Sequence, residues 1–588
     1  MIEVKHNSQN STAELINDYD SQSWYDFIKL FSGRNCKRSG QKIIVPWIDF
    51  LNNSEYVEYI SKQYPNEVSY DLNTQSIIKA SRESIDLFAH PRDDVSVKDI
   101  EIVLEKNGFS RKLFPYQIRN LKKLICRNSS ASFSVPGAGK TTEALAFFTY
   151  LKKPKDKLLV ISPKSAFKAW RDEIGSEKGC FKGKNLNLVE IFTTDNRTVQ
   201  NILESSRLLI VNYDKLIRIN DTLREFLEKN SVFIIIDESH YVKSEYSNRT
   251  NEVLSLAHLA NHKLILSGTP IPNTIEELIP QFKFLYPEIY TTPYNIRDKV
   301  NEIYVRTTRD ELNIPKEEIK LISIPLSRNQ IVLYKLIKEY TLKHLSVHRN
   351  PYIKTIKRSA ILLLQLISNP LLGLNRYKEI PGVKDNENIL LNLESPKIDY
   401  VMTRARELAN QNKKLIVWSN FVQNIEIIHS RLSDINALKI HGGVPQEERD
   451  TSIDLFNFDS DYHALVINPA TGAEALNLHY NCNHAIYIDR SFNSVHWIQS
   501  MDRIRRIGQE KKPIIEVLIH NNTIDERIES VLKRKVKLME EVLNDKAISA
   551  EPIRADYYYD REDSFDKSIE EELEEILAAL QNESDEYL

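Results

Sequence analysis

The sequence predicts an α/β protein with two parallel-sheet lobes, helical insertions and a small N-terminal α/β or α+β domain. Two sets of short, β-branched apolar runs are separated by helical stretches, which is typical of parallel strands buried on both faces. At 588 residues, the chain is also too long for one hydrophobic core. The first set of runs comprises 158–161, 208–211, 233–236 and 263–266, and the second comprises 415–418, 464–467, 485–488 and 514–518.

These patterns divide the chain into five zones. The acidic composition after residue 560 is typical of a solvated helix or an unfolded tail. We expect an N-terminal accessory domain over 1–108, a first lobe over 109–320 with a helical insertion from about 276, a helical insertion or linker over 321–395, a second lobe over 396–545, and an acidic tail over 546–588.

The bulk composition carries no strong charge bias. Hydrophobic residues make up 41% and charged residues 27% of the chain, and the net charge is −3. Any nucleic-acid contact therefore requires a local basic surface. The four cysteines are too dispersed for a zinc knuckle or a disulfide framework, which favours a reducing compartment. No apolar run reaches the roughly 18 residues of a membrane span, so we expect no membrane association and a cytoplasmic location.

A glycine-rich segment in the first lobe has the spacing of a phosphate-binding loop. Residues 134–141 follow G-x-x-x-x-G-K-[ST], with Ser134 in place of the first Gly, between a short strand and a helix. Lys140 is expected to reach the β- and γ-phosphates, and Thr141 to ligate Mg²⁺. Upstream, Gln117 is a candidate for reading the adenine edge, because its amide both donates and accepts. The predicted loop contacts with ATP come from Pro136, Gly137, Ala138, Gly139, Lys140, Thr141 and Thr142.

Two further apolar runs of the first lobe end in polar residues. One run is followed by Asp237, Glu238 and His240. Because parallel sheets present ligand groups at strand ends, we expect Asp237 to hold magnesium through water and Glu238 to orient and deprotonate the attacking water. His240 is a candidate coupling residue. The other run is followed by the hydroxyl residues Ser267 and Thr269.

The second lobe contains candidate catalytic arginines. Nucleotide hydrolysis needs a cation that neutralises transition-state charge, and arginine suits this role because its forked group is always charged. Arg503 and Arg506 lie three residues apart, on one face if the segment is helical. The alternative is a basic surface helix, since Arg505, Lys511 and Lys512 are adjacent.

Longer stretches of the chain carry a family resemblance. Residues 499–509 read Gln-Ser-Met-Asp-Arg-Ile-Arg-Arg-Ile-Gly-Gln, residues 468–478 contain Ala-Leu-Asn-Leu, and residues 522–526 read Asn-Thr-Ile-Asp-Glu. With the first-lobe motifs, this order resembles the Swi/Snf-type ATP-dependent DNA translocases of helicase superfamily two, over about residues 110–540. The resemblance implies that both lobes are RecA-like. Further matching positions are 163–165, Trp170, Glu173, 212–213, 306–309, Tyr334, 369–370 and 441–443.

The resemblance also implies a function and a set of residue roles. It implies a motor that moves along one strand of double-stranded DNA without separating the strands. Arg503 and Arg506 would both contribute to catalysis, with Arg506 as the finger. The basic segment 349–358 is a further candidate DNA contact, and a solvated helix face is its alternative. The implied DNA contacts are Lys164, Ser165, Asn212, Tyr213, Asn420 and Thr471, and the implied coupling residues are His240, Ser267, Thr269 and Gln499.

Several positions depart from the family pattern. Residues 134–136 replace an acidic start of the phosphate loop, and Phe492 and Ser494 stand where the family has Trp and Pro. Trp497 occupies a position where a small or acidic residue is common. None of these departures removes a catalytic group, and they set the chain apart from the chromatin members of the family.

Two other functions remain open from the sequence. The first is an RNA or single-strand helicase, which the Asp-Glu-Ser-His sequence of residues 237–240 favours. The second is a nucleotide-gated scaffold that recruits protein partners through residues 1–108 or the acidic tail. The short chain and its Lys, Asn and Ile usage favour a bacterial or phage protein. By association alone, we expect work in DNA repair, removal of transcription complexes or anti-phage defence, with defence slightly favoured. The basic segment 34–38 is a candidate recognition loop or an ordinary solvated one.

Overall fold

A computed structural model describes most of the chain. Three predicted features lie outside the described residues: the acidic tail, the basic segment 349–358, and part of the basic segment 34–38. The described residues are 1–7, 12–32, 36–177, 179–181, 186–245, 247–347, 361–384, 387–391, 393–472 and 476–545.

The chain divides into two compact units. The first comprises residues 1–271 and 275–308, and the second comprises 272–274 and the described residues from Arg309 onwards. The unit boundary therefore lies at residue 308, and the predicted accessory domain over 1–108 belongs to the same unit as the first lobe.

The N-terminal part of the first unit is a mixed sheet covered by helices. Strand order is β3-β4-β2-β1-β5, with β5 parallel to β1 and the other pairs antiparallel. Alternate residues of β1 are buried, because one face of the sheet packs on Trp24, Phe27, Trp47 and Phe50. The predicted small α/β or α+β domain is confirmed. Its elements are β1 (Ile2–Asn7), β2 (Thr12–Asn17), α1 (Gln22–Phe31), β3 (Lys37–Ser39), β4 (Lys42–Pro46), α2 (Trp47–Leu51), α3 (Ser54–Gln63), β5 (Val68–Tyr70) and α4 (Leu72–Ala89).

The rest of the first unit is a parallel sheet with helices on both faces. The strand order is β12-β6-β11-β10-β7-β9-β8, and the four predicted apolar runs are β7, β9, β10 and β11. The elements are α5 (Val97–Lys106), α6 (Pro115–Ile125), β6 (Ser129–Ser132), α7 (Lys140–Leu151), β7 (Lys157–Ile161), α8 (Phe167–Gly175), β8 (Leu188–Glu190), α9 (Asn196–Ser205), β9 (Leu208–Val211), α10 (Tyr213–Lys229), β10 (Val232–Asp237), α11 (Asn248–Leu254), β11 (His262–Leu266), α12 (Leu278–Leu285), α13 (Ile296–Ile303) and β12 (Tyr304–Val305).

The second unit contains another parallel sheet, in the order β13-β18-β17-β14-β16-β15. The four apolar runs predicted there are β14, β16, β17 and β18, so the two-lobe α/β prediction is confirmed. The elements are β13 (Glu318–Ser323), α14 (Arg328–Val347), α15 (361–368), α16 (Leu374–Tyr377), α17 (Pro381–Lys384), α18 (Pro396–Asn410), β14 (Leu415–Trp418), α19 (Val422–Arg431), β15 (Leu438–Ile440), α20 (Gln446–Phe458), β16 (Ala464–Ile467), α21 (Pro469–Gly472), β17 (His484–Tyr487), α22 (Ser494–Met501), β18 (Ile514–Ile519) and α23 (Ile524–Leu543).

One structural boundary differs from the sequence-based one. The predicted end of the first lobe at residue 320 falls inside β13, which pairs with β18 over six residues in the second unit. The physical reason is that β13 lies at the edge of the sheet and is only partly buried, so its sequence lacks the continuous apolar pattern of a central strand.

Within the described ranges, no helix is both long enough and apolar enough to cross a membrane.

A buried ion pair anchors the start of α23 in the second unit. Lys397 Nζ lies 2.7 Å from Asp525 Oδ2, and both side chains are almost completely buried. We expect Asp525→Ala to destabilise this unit by about 3–5 kcal/mol, because it leaves an uncompensated charge on Lys397. Thermal unfolding followed by circular dichroism measures the loss. The control is Asp434→Ala, which breaks a half-exposed pair with Arg406 and should cost at most about 1 kcal/mol.

Candidate nucleotide-binding and hydrolysis site

The candidate site lies at the carboxyl edge of the sheet in the first unit. The phosphate loop joins the end of β6 to the start of α7, and the neighbouring strands β11, β10 and β7 end beside it. Because all of these strands are parallel, the polar residues that follow them meet at one edge. The fold thus brings together the segments around Lys140, Asp237 and Ser267, which are widely separated in sequence.

The phosphate loop has the backbone curl that its two glycines permit. Gly137 and Gly139 adopt φ values of 87° and 82°, in the left-handed region. A Cβ atom on Gly139 would lie 2.4 Å from the amide nitrogen of Gln117, so a side chain there would require the Gln117 amide to move. Lys140 Nζ donates hydrogen bonds to the carbonyl oxygens of Ser134 (2.9 Å) and Val135 (3.5 Å). The ammonium therefore lies against its own loop, at the start of a three-turn helix.

The Gln117 side chain bonds to the phosphate loop and to the start of its own helix. Its side chain is 3% exposed, its Nε2 lies 3.3 Å from the carbonyl oxygen of Ala138, and its Oε1 accepts the Phe114 N–H at 3.0 Å. Both ends of the amide are thus engaged with the protein, and Gln117 holds the phosphate loop onto α6. Reading of the adenine edge by Gln117 stays a prediction.

Asp237 ends β10 and is held in a fixed orientation. Its Oδ2 accepts hydrogen bonds from Ser162 Oγ and Trp170 Nε1, both at 2.9 Å, and its Oδ1 accepts the Glu238 N–H at 3.0 Å. Burial, and then repulsion from Glu238, raise the pKa of Asp237, and the two side-chain hydrogen bonds and Lys140 oppose this shift. The carboxylate is therefore a site that a cation would stabilise.

Glu238 occupies an unusual backbone conformation next to Asp237. Its φ and ψ are 51° and 56°, a left-handed conformation that is uncommon for a residue with a Cβ. Glu238 Oε2 lies 3.2 Å from His240 Nδ1, which in turn lies 3.4 Å from Ser267 Oγ. The Ser267 hydroxyl also accepts the Thr269 N–H at 3.1 Å. The predicted coupling residues of the first lobe thus form one chain of contacts that starts at Glu238.

The loop after β11 packs closely on the phosphate loop. A Cβ atom on Gly268 would lie 2.9 Å from Pro136 Cδ and 3.6 Å from Lys140 Nζ. Because the two loops are in van der Waals contact, a displacement of the phosphate loop would also displace the loop that carries Ser267 and Thr269.

Two residues predicted to contact DNA, Tyr213 and Asn212, make hydrogen bonds within the first unit, and their contact with DNA stays a prediction. Tyr213 is 3% exposed, and its hydroxyl donates to the Asp237 carbonyl oxygen at 2.6 Å, so it supports the carboxylates. Asn212 caps α10, because its side-chain oxygen accepts the Lys215 N–H at 2.8 Å. Both residues follow the end of β9, where the sequence alone does not show which polar groups bond within the protein. Lys164 and Ser165, by contrast, lie in a short helical turn after β7 with Lys164 exposed.

Thr141 and Asp237 carry oxygen atoms of the kind that ligate Mg²⁺. Thr141 follows Lys140 at the start of α7, and Asp237 offers a carboxylate whose pKa is raised by burial and by a neighbouring carboxylate. Mg²⁺ favours hard oxygen ligands and is commonly held by one or two side chains together with substrate phosphates. Thr141 and Asp237 would hold the ion, which would neutralise charge on the β- and γ-phosphates.

In the second unit, Arg503 and Arg506 converge on one acceptor. Helix α22 ends at Met501 and turns follow, so the arginines do not share a helical face as the conditional prediction proposed. Both guanidinium groups instead donate to the carbonyl oxygen of Leu476, each at 3.3 Å. Burial lowers the pKa of Arg506. Gln499, on α22, is buried, and its carbonyl oxygen accepts from Arg503 Nε at 3.1 Å.

A buried ionic cluster flanks these arginines, and the sequence did not predict it. Asp502 Oδ1 lies 3.0 Å from both Arg309 Nη2 and Arg505 Nη2, and Arg505 also pairs with Glu317. Arg505 is 2% exposed, so the alternative of a basic surface helix is wrong at this position. The sequence does place Asp502 beside several arginines, which is a signal for ion pairing. Only the fold shows which of these arginines is buried against it.

The two DNA contacts predicted for the second lobe differ in their surroundings. Asn420 is engaged by Asp489, whose Oδ1 accepts from the Asn420 backbone N–H at 2.7 Å and from its Nδ2 at 2.9 Å. Thr471 lies half-buried in the short helix α21. Asn420 therefore positions a loop, and Thr471 retains the exposure that a DNA contact requires.

The fold and the site define a two-lobed nucleotide-binding α/β protein with a phosphate loop. The family model of the SNF2-related domain matches residues 133–366, and that of the helicase conserved C-terminal domain matches residues 397–508. The chain belongs to the Swi/Snf-type family of helicase superfamily two, as its motifs predicted.

Several characterised proteins are similar to the chain. DNA repair and recombination protein RDH54 of Saccharomyces cerevisiae is 26% identical and covers 69% of this chain and 48% of its own length. ISWI chromatin-remodeling complex ATPase ISW2 of the same species is 24% identical, with coverage of 73% and 40%. YwqA of Bacillus subtilis, which is named for an ATP-dependent helicase or translocase function, is 24% identical, with coverage of 76% and 50%. The chain thus spans half or less of the length of these relatives.

A solved structure, the Sulfolobus solfataricus SWI2/SNF2 ATPase core in complex with dsDNA, is 22% identical with a TM-score of 0.33, over 75% of this chain and 95% of that one.

Proposed function

We propose that this protein hydrolyses ATP and uses the energy to translocate on double-stranded DNA. The observation that carries the proposal is the meeting of the phosphate loop with Asp237 and Glu238 at one sheet edge, where Ser162 and Trp170 hold the carboxylate of Asp237 at 2.9 Å. A phosphate cradle alone binds nucleotide, whereas a carboxylate beside it supplies a base for hydrolysis.

The proposed chemistry assigns each step to a group of the chain. Lys140 exchanges its carbonyl partners for the β- and γ-phosphate oxygens, because an ammonium group bonds more strongly to an anionic oxygen than to a neutral carbonyl oxygen. Glu238 accepts a proton from the attacking water, whose oxygen bonds to the γ-phosphorus as the bond to the β–γ bridging oxygen breaks. Arg503 and Arg506 stabilise the charge that develops in this step. The products are ADP and phosphate.

The energy of this reaction is proposed to move the protein along DNA. The names of the relatives support this step, since RDH54 is named for DNA repair and YwqA for helicase or translocase function. Lys164, which is exposed, and Ser165 and Thr471, which are half-buried, are the proposed phosphate-backbone contacts. Protein partners, a cytoplasmic location, and a role in repair, remodelling or anti-phage defence belong to this proposal as well.

A DNA-dependent ATPase assay tests the proposal. We expect phosphate release to be stimulated several-fold by duplex DNA and less by RNA, and displacement of a triplex-forming strand to require ATP. Lys140→Ala should abolish turnover, because the group that neutralises the phosphates is lost. The matched control, Lys168→Ala, removes an exposed lysine of α8 and should keep the wild-type rate.

Other outcomes would favour the alternatives. Equal rates with duplex DNA, RNA and no nucleic acid contradict DNA-driven translocation. Unwinding of a tailed RNA duplex without triplex displacement would favour the RNA helicase, and full cellular function of a hydrolysis-deficient variant would favour the scaffold.

A further inference from the structure

Residues 502–509 of the second unit, the arginine segment, bond in two different directions. Arg503 and Arg506 share one carbonyl acceptor, whereas Asp502 and Arg505 take part in the buried ionic cluster. The members of each pair are three residues apart, although the chain there forms turns rather than a helix. One pair is proposed to act in hydrolysis, and the other pair has no role in that chemistry.

The ionic cluster anchors the first half of the arginine segment to the chain that leads into β13. Arg309 Nη2 lies 3.0 Å from Asp502 Oδ1 and 3.3 Å from its Oδ2, and Arg505 pairs with both Asp502 and Glu317. All four side chains are buried. Although burial opposes ionisation of Glu317, Arg505 and Arg309 hold its pKa below the ordinary value. Glu317 therefore remains an anion beside Arg505.

Stability alone is a weak explanation for such a cluster. Moving ions from water into a protein interior costs free energy, and buried ionic clusters often contribute no more stability than well-packed apolar side chains of similar volume. A guanidinium group does supply direction, because its N–H groups donate in one plane from a rigid fork. The cluster is therefore suited to fixing the path of the backbone over residues 502–505.

Gln509 anchors the other end of the arginine segment. Its Nε2 lies 2.9 Å from the carbonyl oxygen of Cys482 and 3.2 Å from the carbonyl oxygens of His479 and Ile504. The side chain is buried. The loop 476–482 begins with the residue whose carbonyl oxygen accepts from both proposed catalytic arginines. Gln509 thus ties the end of the arginine segment to the loop on which its arginines converge.

We propose that Arg309, Glu317 and Gln509 are positioning residues that fix the arginine segment, and through it the side chains of Arg503 and Arg506, for ATP hydrolysis. The ionic cluster holds the segment on either side of Arg503, and Gln509 holds it beyond Arg506. The inference rests on the proposed function, which assigns the two arginines to hydrolysis. The three positioning residues act on the reaction only through the segment.

Positioning predicts an effect on kcat and little effect on ATP binding. A misplacement of about 1 Å in the groups around a reaction can lower its rate on the order of 10²-fold. The proposed ATP contacts lie on the phosphate loop, which variants of the second unit leave unchanged. Arg309→Met and Gln509→Met should therefore each lower kcat about 10- to 100-fold, with the KM for ATP within about twofold of the wild type.

A double-mutant cycle separates positioning from a general loss of structure. In an Arg506→Ala background the arginine that Gln509 positions is absent, so Gln509→Met should lower the remaining rate by less than about threefold. A general loss of structure would instead lower the rate by the same factor in both backgrounds. Single-turnover phosphate release, with the protein in excess over ATP and duplex DNA present, measures the slow rates.

Two matched controls lie in the same unit. Gln330 is also buried, with its Nε2 3.1 Å from the Leu366 carbonyl oxygen and its Oε1 accepting the Ser327 N–H at 2.9 Å. Arg404 pairs with the buried carboxylate of Glu516 at 3.0 Å. Because these partners lie outside the arginine segment, folded Gln330→Met and Arg404→Met should keep the wild-type kcat.

The outcomes separate this proposal from the proposed function. A wild-type kcat in folded Gln509→Met, or an equal loss of rate in both backgrounds of the cycle, would overturn the positioning role. Absence of DNA-stimulated ATP hydrolysis by the wild type would instead overturn the proposed function.

Thermal unfolding identifies any variant that does not fold. Arg309→Met removes a buried charge and Gln509→Met removes none, so either variant decides if the other is unfolded. Arg309→Lys keeps the charge but loses the fork, and it decides if neither folds. Its kcat should lie severalfold below the wild type, and a wild-type kcat in this variant would then overturn the proposal.

Discussion

Replacement of Glu238 by Gln is expected to reduce ATP hydrolysis by about 10²- to 10⁴-fold while leaving ATP binding intact. The amide keeps the size of the side chain and its reach toward His240, which lies 3.2 Å from the carboxylate, but it cannot accept a proton from water. The reason that binding survives is that the phosphate loop and Lys140 remain unchanged. Phosphate release gives the rate, and a fluorescent ATP analogue gives the affinity.

A conservative control separates the loss of the base from a general loss of charge. Glu245→Gln changes a half-exposed glutamate that pairs with Lys283 in the same unit, and we expect its hydrolysis rate to match the wild type. If Glu238→Gln retained half of the wild-type rate or more, the assignment of Glu238 as the base would be wrong.

Replacement of Arg506 by Ala is expected to lower kcat on the order of 10³-fold or more, with little change in the KM for ATP. Burial lowers the pKa of Arg506, which shows that its charged form is poorly solvated by its surroundings, and a poorly solvated cation interacts strongly with a transferring phosphoryl group. Its removal does not leave Leu476 without a partner, because Arg503 donates to the same carbonyl oxygen at 3.3 Å. The fold of the second unit should therefore survive.

Two further variants test whether the forked shape and the position of the Arg506 side chain matter for hydrolysis. Arg506→Lys keeps the positive charge but loses the forked geometry, so an intermediate rate is expected. Lys511→Ala removes an exposed cation nearby and should have no effect on kcat. A kcat for Arg506→Ala within about threefold of the wild type would contradict the finger assignment, because an arginine finger contributes on the order of 10³-fold or more to kcat.

Much of the fold was predictable from hydrophobic pattern. The central strands of both parallel sheets are continuous apolar runs, because helices bury both of their faces. Strand β6 is an exception. Its sequence is Ser-Ser-Ala-Ser, yet it is fully buried between β11 and β12. Its hydroxyls are bonded internally, as Ser130 and Ser132 show, so burial there depends on partners that a hydropathy pattern does not contain.

The candidate site was predictable to the extent that its motifs are local. The loop over 134–141 and the pair Asp237–Glu238 follow from spacing and strand ends. The hydrogen-bond partners of Gln117 and Tyr213 did not follow from the sequence, since each has a polar group that suits a ligand as well as it suits a backbone partner. The structure gives both of them backbone partners, at 3.3 Å for Gln117 and 2.6 Å for Tyr213.

By itself, the sequence determined that the protein has two parallel-sheet lobes, a phosphate loop, a pair of carboxylates after a strand and an arginine-rich motif. Tertiary structure alone decided which polar side chains are buried and which partners they take. The buried Arg505 pairs with Asp502 and Glu317. Ser134, which stands where the loop pattern has glycine, accepts a hydrogen bond from the Thr307 N–H. The physical reason is that a local motif fixes the spacing of donors and acceptors along the chain, whereas their partners come from distant segments, 173 to 190 residues away in three such hydrogen bonds.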